Sequence, residues 1–268
     1  MHIRETVCAC FSPTGTSRAV LHAVARGLAA PEARTIDLTD PDGRKRPLAL
    51  GPDALLLLAA PVYVGRIPAQ VRDWLKAARL ERTPVVCIAV YGNRAFEDAL
   101  LEMADTVTER GGVPVAAAAF IGEHSFSSED TPIAVARPDA DDLARAEAFG
   151  SSLAQRLAGW TTVDDAPAPD LPGNRPYREI MPPLTEPFIA VDEACTGCGV
   201  CAERCPVDAI DPETPADIDL GECIYCCACI KACPEGARSL LPGFLKDVAV
   251  RLSETCTERK EPEVFLGA

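Results

Sequence analysis

No stretch of this sequence approaches the roughly 18 apolar residues that a membrane helix needs. The longest candidate, Ala54 to Val64, is interrupted by Pro61, so a membrane-spanning chain is not expected. Basic side chains are scarce. With 26 Lys and Arg against 40 Asp and Glu, the formal charge is −14, which opposes the phosphate contacts of nucleic-acid binding. Aromatics are only 5% of the 268 residues and histidines number three, so the position of each carries information. His2, Arg4 and Glu5 precede any apolar stretch; neither a secretory nor a twin-arginine leader is visible, and the cytoplasm is the expected compartment. Disorder is excluded too, because 48% hydrophobic and 25% charged residues are ordinary globular usage.

Cysteine, in contrast, is plentiful and unevenly placed: nine of the thirteen fall between Cys195 and Cys233. An odd, clustered set without a leader argues for metal ligation over a disulfide framework. Two unlike halves are therefore expected, which the length also allows. In the first half, apolar runs predict strands at 5–11, 34–38, 54–60, 85–90 and 115–120. Helical periodicity predicts helices at 16–28, 67–78, 95–110 and 139–157. Runs such as "ALLLLAA" suit strands buried on both faces, so the fold class is α/β, a doubly wound parallel sheet of five strands, with its ligand beyond their carboxyl ends. Residues 1–160 form this domain. A proline-rich linker at 161–187 then serves as a semi-rigid spacer, followed by a small α+β cysteine module at 188–240. The last part, 241–268, is a short helix over 243–253 and a tail that is either frayed or a docking strap. Cys8, Cys10 and Cys87 lie in expected buried strands and read as inert apolar residues, and Cys256 is unassigned.

Within the module, Cys195-Thr-Gly-Cys198-Gly-Val-Cys201-Ala-Glu-Arg-Cys205-Pro206 has the spacing C-x2-C-x2-C-x3-C-P, and Cys223-Ile-Tyr-Cys226-Cys-Ala-Cys229-Ile-Lys-Ala-Cys233-Pro234 repeats it. This run resembles the bacterial two-cluster ferredoxins, in which the fourth Cys of each run serves the other cluster. The resemblance implies two [4Fe-4S] clusters, one on Cys195, Cys198, Cys201 and Cys233, the other on Cys223, Cys226, Cys229 and Cys205. Structural zinc is the alternative, since C-x2-C pairs also bind zinc tetrahedrally. Cys227, beside a ligand, is either a small buried hydrophobe or an alternative ligand. Tyr225 is expected to pack over a cluster.

After the first strand, Phe11 leads into Ser12-Pro13-Thr14-Gly15-Thr16-Ser17 at the start of a helix. A strand-to-helix turn rich in hydroxyls and small residues aims backbone N–H groups and the helix dipole at one anion. No Lys follows Gly15 and no G-x-G-x-x-G occurs, so neither a Walker loop nor a dinucleotide fingerprint is present. The loop resembles that of flavodoxins, which implies FMN. By the same resemblance the isoalloxazine would lie between Pro61-Val62-Tyr63-Val64-Gly65 and Tyr91-Gly92-Asn93-Arg94. Tyr63 and Tyr91 are candidates for stacking on it, against the alternative of rim packing. Past the fifth strand, Glu123 and His124 are candidate proton donors to a small substrate, or else members of a solvated loop.

Taken whole, with "YGNRAFEDALLE", "FIGEHSFS" and "RKEPEVF", the chain resembles the flavodoxin–ferredoxin fusions called the EFR1-type ferredoxin family. That resemblance implies electron transfer in anaerobic metabolism: a relay between ferredoxin-type donors and a redox protein partner with a basic docking patch. A flavin reductase acting directly on a small molecule is the alternative. A regulatory redox sensor is less suited, because no basic element accompanies the cysteines.

Overall fold

The five apolar segments of the first half form one parallel sheet. The computed structural model describes residues 1–30 and 32–267. Its strands in this half are β1 (Glu5–Cys10), β2 (Arg34–Asp37), β3 (Ala49–Leu50), β4 (Ala54–Pro61), β5 (Arg79–Leu80), β6 (Pro84–Tyr91) and β7 (Val113–Ile121). The short β3 and β5 pair only with each other. The others lie in the order β2-β1-β4-β6-β7, all parallel, with registers such as Val7 beside Leu56 and Leu56 beside Val85. Without the small pair this is the strand order 2-1-3-4-5 of the flavodoxin-like doubly wound fold.

Helices α1 (Thr16–Gly27), α2 (Pro41–Arg44), α3 (Ala69–Ala77), α4 (Ala99–Glu109) and α5 (Ala140–Gly159) complete the domain. The pleat explains why β4 is apolar without alternation. Leu56 and Leu58 enter the core beneath α3 and α4, with Val71, Trp74 and Leu100. Leu55 and Leu57 enter the opposite core beneath α1 and α5, with Val20, Val24, Phe149 and Leu153. Helices α1 and α5 approach closely because Gly150 has no side chain: a Cβ there would lie 2.2 Å from the Val24 carbonyl oxygen. Cys8, Cys10 and Cys87 are buried in these strands. Burial pushes the thiols of Cys8 and Cys87 up to about 11 and about 12, leaving them protonated and unreactive.

The segment 161–187 departs from the expected spacer. It lies along α4, because two carboxylates there capture its backbone and side chains. Asp98 accepts from the N–H groups of Asn174 (2.8 Å) and Arg178 (2.6 Å), and Asp105 accepts from Arg175 and Tyr177. Beyond it, β8 (Ile189–Val191) pairs antiparallel with β9 (Arg238–Leu240), enclosing the four-residue helices α6 (Val200–Glu203) and α7 (Ala228–Lys231). Helix α8 (Phe244–Thr255) then leads back to β10 (Glu263–Phe265), which adds antiparallel to the exposed edge of β7 opposite Ala117 to Ala119. The tail is thus a strap. It covers an edge strand that would otherwise offer unpaired backbone groups.

Candidate functional site

The turn after β1 is built as an anion cradle. Gly15 adopts φ +88°, a conformation that costs L-residues with a Cβ, and opens α1 with no side-chain cap and no acidic residue in the first turn. The positive end of the helix dipole and its unpaired N–H groups are left for an anion. Ser12 shapes the loop from within: its N–H donates to the Thr39 hydroxyl at 2.8 Å and its hydroxyl accepts from the Arg18 N–H at 3.0 Å. The Ser17 hydroxyl is fully buried and has no hydrogen-bond partner. An orphaned hydroxyl beneath an uncapped helix start fits a phosphate group.

The space above this loop, about 590 Å³, has Ser12, Thr14 and Gly15 on one wall and the second module on the other, where Cys205, Arg204 and Lys231 face it. Three contacts seat the module there. The Arg44 guanidinium donates to the Pro206 carbonyl at 2.6 Å, and Lys231 donates to Glu123 at 2.8 Å and to the Ser127 carbonyl at 2.7 Å. Ile224, between two of the repeated cysteines, packs onto the α3/α4 side of the sheet core.

The loops after β4 and β6 close around protein groups. Tyr63 and Arg66 bridge a tight hairpin whose tip is Val64 (φ +53°) and Gly65 (φ +79°). Tyr63 lies near the Cys226–Cys227 turn, and burial pushes its phenol well up. Tyr91 takes neither expected place, on a flavin face or at the rim. It is 4% exposed and its ring packs against Phe96 at 5.5 Å in the core, because its place in β6 points it under α4. Gly92 is required by the His124 ring, which would lie 2.2 Å from a Cβ there. Asn93 is occupied by the strap, donating to the carbonyls of Cys256 and Glu258, both at 2.8 Å, while Arg94 pairs with Glu97 at 2.9 Å.

Neither candidate proton donor is poised as an acid near pH 7. Burial alone would raise Glu123, but the ammonium of Lys231 and the Ala136 N–H outweigh it and hold the carboxyl below its usual range. It is an ion-pair partner across the module contact. His124 is held down to about 4, first by burial and then by the nearby cations Arg94 and Lys231. Its Nδ1 accepts the Phe126 N–H at 3.0 Å. The imidazole is therefore neutral near pH 7, with its proton on Nε2.

The eight repeated cysteines surround two separate cavities. Cys195, Cys198, Cys201 and Cys233 face one; Cys205, Cys223, Cys226 and Cys229 face the other, which Cys227 also touches. Among the described residues, no three Cys, His, Asp or Glu side chains converge on a position for a single ion, as tetrahedral zinc requires. Four soft sulfur donors gathered around one cavity fit a cluster. Backbone N–H groups already point at the sulfurs: Ala209 donates to Cys205 at 3.2 Å. The pseudo-repeat is not symmetric. Gly197 and Gly199 occupy left-handed positions in the first loop, while Tyr225 (φ +59°) and Cys227 (φ +54°) stand at the equivalent positions of the second. The Tyr225 hydroxyl accepts the Leu184 N–H at 2.6 Å and its ring packs edge-on against Phe188, which holds the strained turn.

Residues 188–234 match a family model described as a 4Fe-4S dicluster domain. The match covers this module and less than half of the chain. Among curated proteins, NADH-quinone oxidoreductase subunit I 2 of Symbiobacterium thermophilum is 34% identical over 71 residues, which is 22% of this chain and 30% of that protein. The chain thus spans under a third of the length of this relative. Among solved structures, oxidised flavodoxin 2 from Bacillus cereus shares 15% identity over 57% of this chain and 99% of its own, with a TM-score of 0.38. A flavodoxin from the domain Archaea shares 14% over 57% and 99%, with a TM-score of 0.36. The chain joins a flavodoxin-like fold, read from its strand order, to a module that matches a 4Fe-4S dicluster domain.

Two residues that matter here escaped the sequence reading. Lys231, in the second repeat, makes the contact to Glu123 that seats the module. Arg238 follows Cys233-Pro-Glu-Gly-Ala and points inward from β9, where a strand of this kind calls for an apolar side chain. A basic residue in the interior register of a strand is the signal that marks it.

Proposed function

We propose that this chain is an electron-transfer flavoprotein that moves electrons between two [4Fe-4S] clusters and FMN, relaying in anaerobic metabolism between a ferredoxin-type donor and a partner redox protein. The carrying observation is that Cys205 of the second quartet and the phosphate cradle of Ser12 to Gly15 face the same space. When bound, the clusters supply one-electron steps, and FMN supplies both one- and two-electron chemistry.

The residues divide the work. Cys195, Cys198, Cys201 and Cys233 would hold the outer cluster, since Cys195 and Cys198 are exposed. Cys223, Cys226, Cys229 and Cys205 would hold the inner one, where Cys226 and Cys229 are buried and Ile224 beside them packs on the sheet core. Ser12, Thr14, Gly15, Thr16 and Ser17 would bind the FMN phosphate, with Pro61 to Gly65 and Gly92 to Arg94 closing the far side. Docking would use charge. Residues 188–240 hold ten Asp and Glu against three Lys and Arg, and Glu203, Asp208, Asp211, Asp217 and Asp219 rim an open groove of about 720 Å³. Such a surface steers a partner with a basic patch. A direct reductase is less well supported, because near pH 7 Glu123 is an ion-paired carboxylate and His124 a neutral imidazole, so neither is poised as an acid.

The test is anaerobic reconstitution of the full chain with iron, sulfide and FMN, followed by flavin-fluorescence titration and electron paramagnetic resonance. About eight irons and one FMN per chain are expected. Ser17→Ala should weaken FMN about ten- to 150-fold, corresponding to roughly 1.5–3 kcal/mol for one lost hydrogen bond to a charged phosphate. A chain that binds iron but never FMN would remove the flavin from this reading.

A further inference from the structure

Two arginines in this protein are buried, and they are buried in opposite ways. Arg137, 7% exposed, forms a two-point ion pair with Asp142. Arg238, 4% exposed, has no carboxylate partner: its Nη1 donates to the Pro215 carbonyl at 2.6 Å and reaches the Cys201 sulfur at 3.5 Å. Cys201 and Cys229 pack together in the same small core. The Arg238 Nε and Nη2 are buried without any partner, and the side chain lines the cavity of the first quartet. An isolated cation is costly to bury, and two unsatisfied N–H groups add to that cost. The nearest anionic chemistry is sulfur. Cys201 belongs to one quartet and Cys229 to the other, so this one guanidinium stands between both.

We infer that Arg238 is a positioning residue that sets the reduction potentials of both clusters, holding a permanent positive charge and spare N–H donors between the two sulfur quartets. The inference rests on the two-cluster reading above. Each cluster gains one electron and one unit of negative charge on reduction, while the guanidinium keeps its protons throughout. A buried cation favours the more negative form, and N–H donors to sulfur act in the same direction. Both clusters are thereby easier to reduce than they would be beside an apolar residue. Being desolvated, the effect should persist at high salt, unlike that of a surface lysine.

The experiment is a dithionite titration of the reconstituted full chain, wild type against Arg238→Gln and Arg238→Lys, followed by electron paramagnetic resonance at low and high salt. In the glutamine chain, the reduced-to-oxidised ratio of both clusters at a fixed potential should fall about tenfold, equal to a 59 mV negative shift for one electron. Lysine should recover part of it. A glutamine chain with full iron and unshifted potentials overturns the inference, as does a shift confined to one cluster. A role limited to bonding Pro215 would leave both potentials in place. If the glutamine chain takes up no iron, wild-type protein labelled with 15N-arginine decides: a side-chain nitrogen coupled to each reduced cluster in pulsed resonance is expected, and its absence overturns the inference. Wild-type protein that binds no iron at all fails earlier, on the cluster reading itself.

Discussion

The sheet domain and the cysteine module are held together by different physics. In the first, β4 and β6 are buried along nearly their whole length between two apolar layers, so area removed from water does most of the stabilising. The apolar core of the module is a small cluster, Phe188, Ile189, Cys201, Ile210, Cys229 and Leu245. Two of these are thiols. Its helices are four residues long and its strands three, too short to persist without packing or ligation. One half thus folds by burial, and the other depends on what its sulfurs hold.

Removing the metal breaks that comparison most directly. Anaerobic chelation of iron from the full chain should abolish amide-exchange protection in β8 and β9 while β4 and β6 keep theirs. Equal protection before and after chelation would mean that the module stands on its own small core. Less drastic is a change inside the sheet domain. Asp142→Ala leaves buried Arg137 with only the more distant Asp139 carboxylate at 3.8 Å, at a cost of up to about 3–5 kcal/mol, and disturbs the strap, because Arg137 also donates to the Lys260 carbonyl at 3.1 Å. Denaturant unfolding should show the same loss with and without iron. A loss seen only in the iron-loaded protein would tie the strap to the module and not to the sheet.

Much of this was legible in the sequence, for reasons that differ by region. Most of the parallel strands announced themselves because strands covered on both faces need unbroken apolar runs of strand length, such as "ALLLLAA"; β2, at the sheet edge, is polar and half-exposed. The cysteine spacing was equally plain, and the structure groups the sulfurs into the two crossed quartets. The proline-rich segment misled, since composition reports stiffness but not adhesion: Asp98 and Asp105, on a helix distant in sequence, decide where it lies. Tyr91 misled for a related reason. Its loop position suggested contact with a flavin, but β6 continues through it, and strand alternation then turns the ring into the core. The exposed edge of β7 is what gives the tail its place, and no local pattern in "EPEVF" reveals which edge is free.

The smallest expected effect lies at the contact between the two regions. His124 sits against Gly92, and its pKa of about 4 owes part of its depression to Lys231 from the module. An unfolded histidine near 6.5 binds a proton that the folded one refuses, so between these values the unfolded state takes up more protons. Stability from this source is complete above about pH 6.5 and is lost as pH falls toward 4, on the order of 1–3 kcal/mol in all. The carboxylates contribute their own acid dependence, so the comparison is with His124→Asn, whose denaturation midpoint should vary less over this window. Directly, the His124 ring proton shift should stay constant from pH 8 to about 5. Lys231→Met should move its titration upward, since one repelling cation is gone. A His124 that titrates near 6.5 in the wild type would mean that the module is not seated on the loops as described, and that the two regions meet more loosely than these contacts imply.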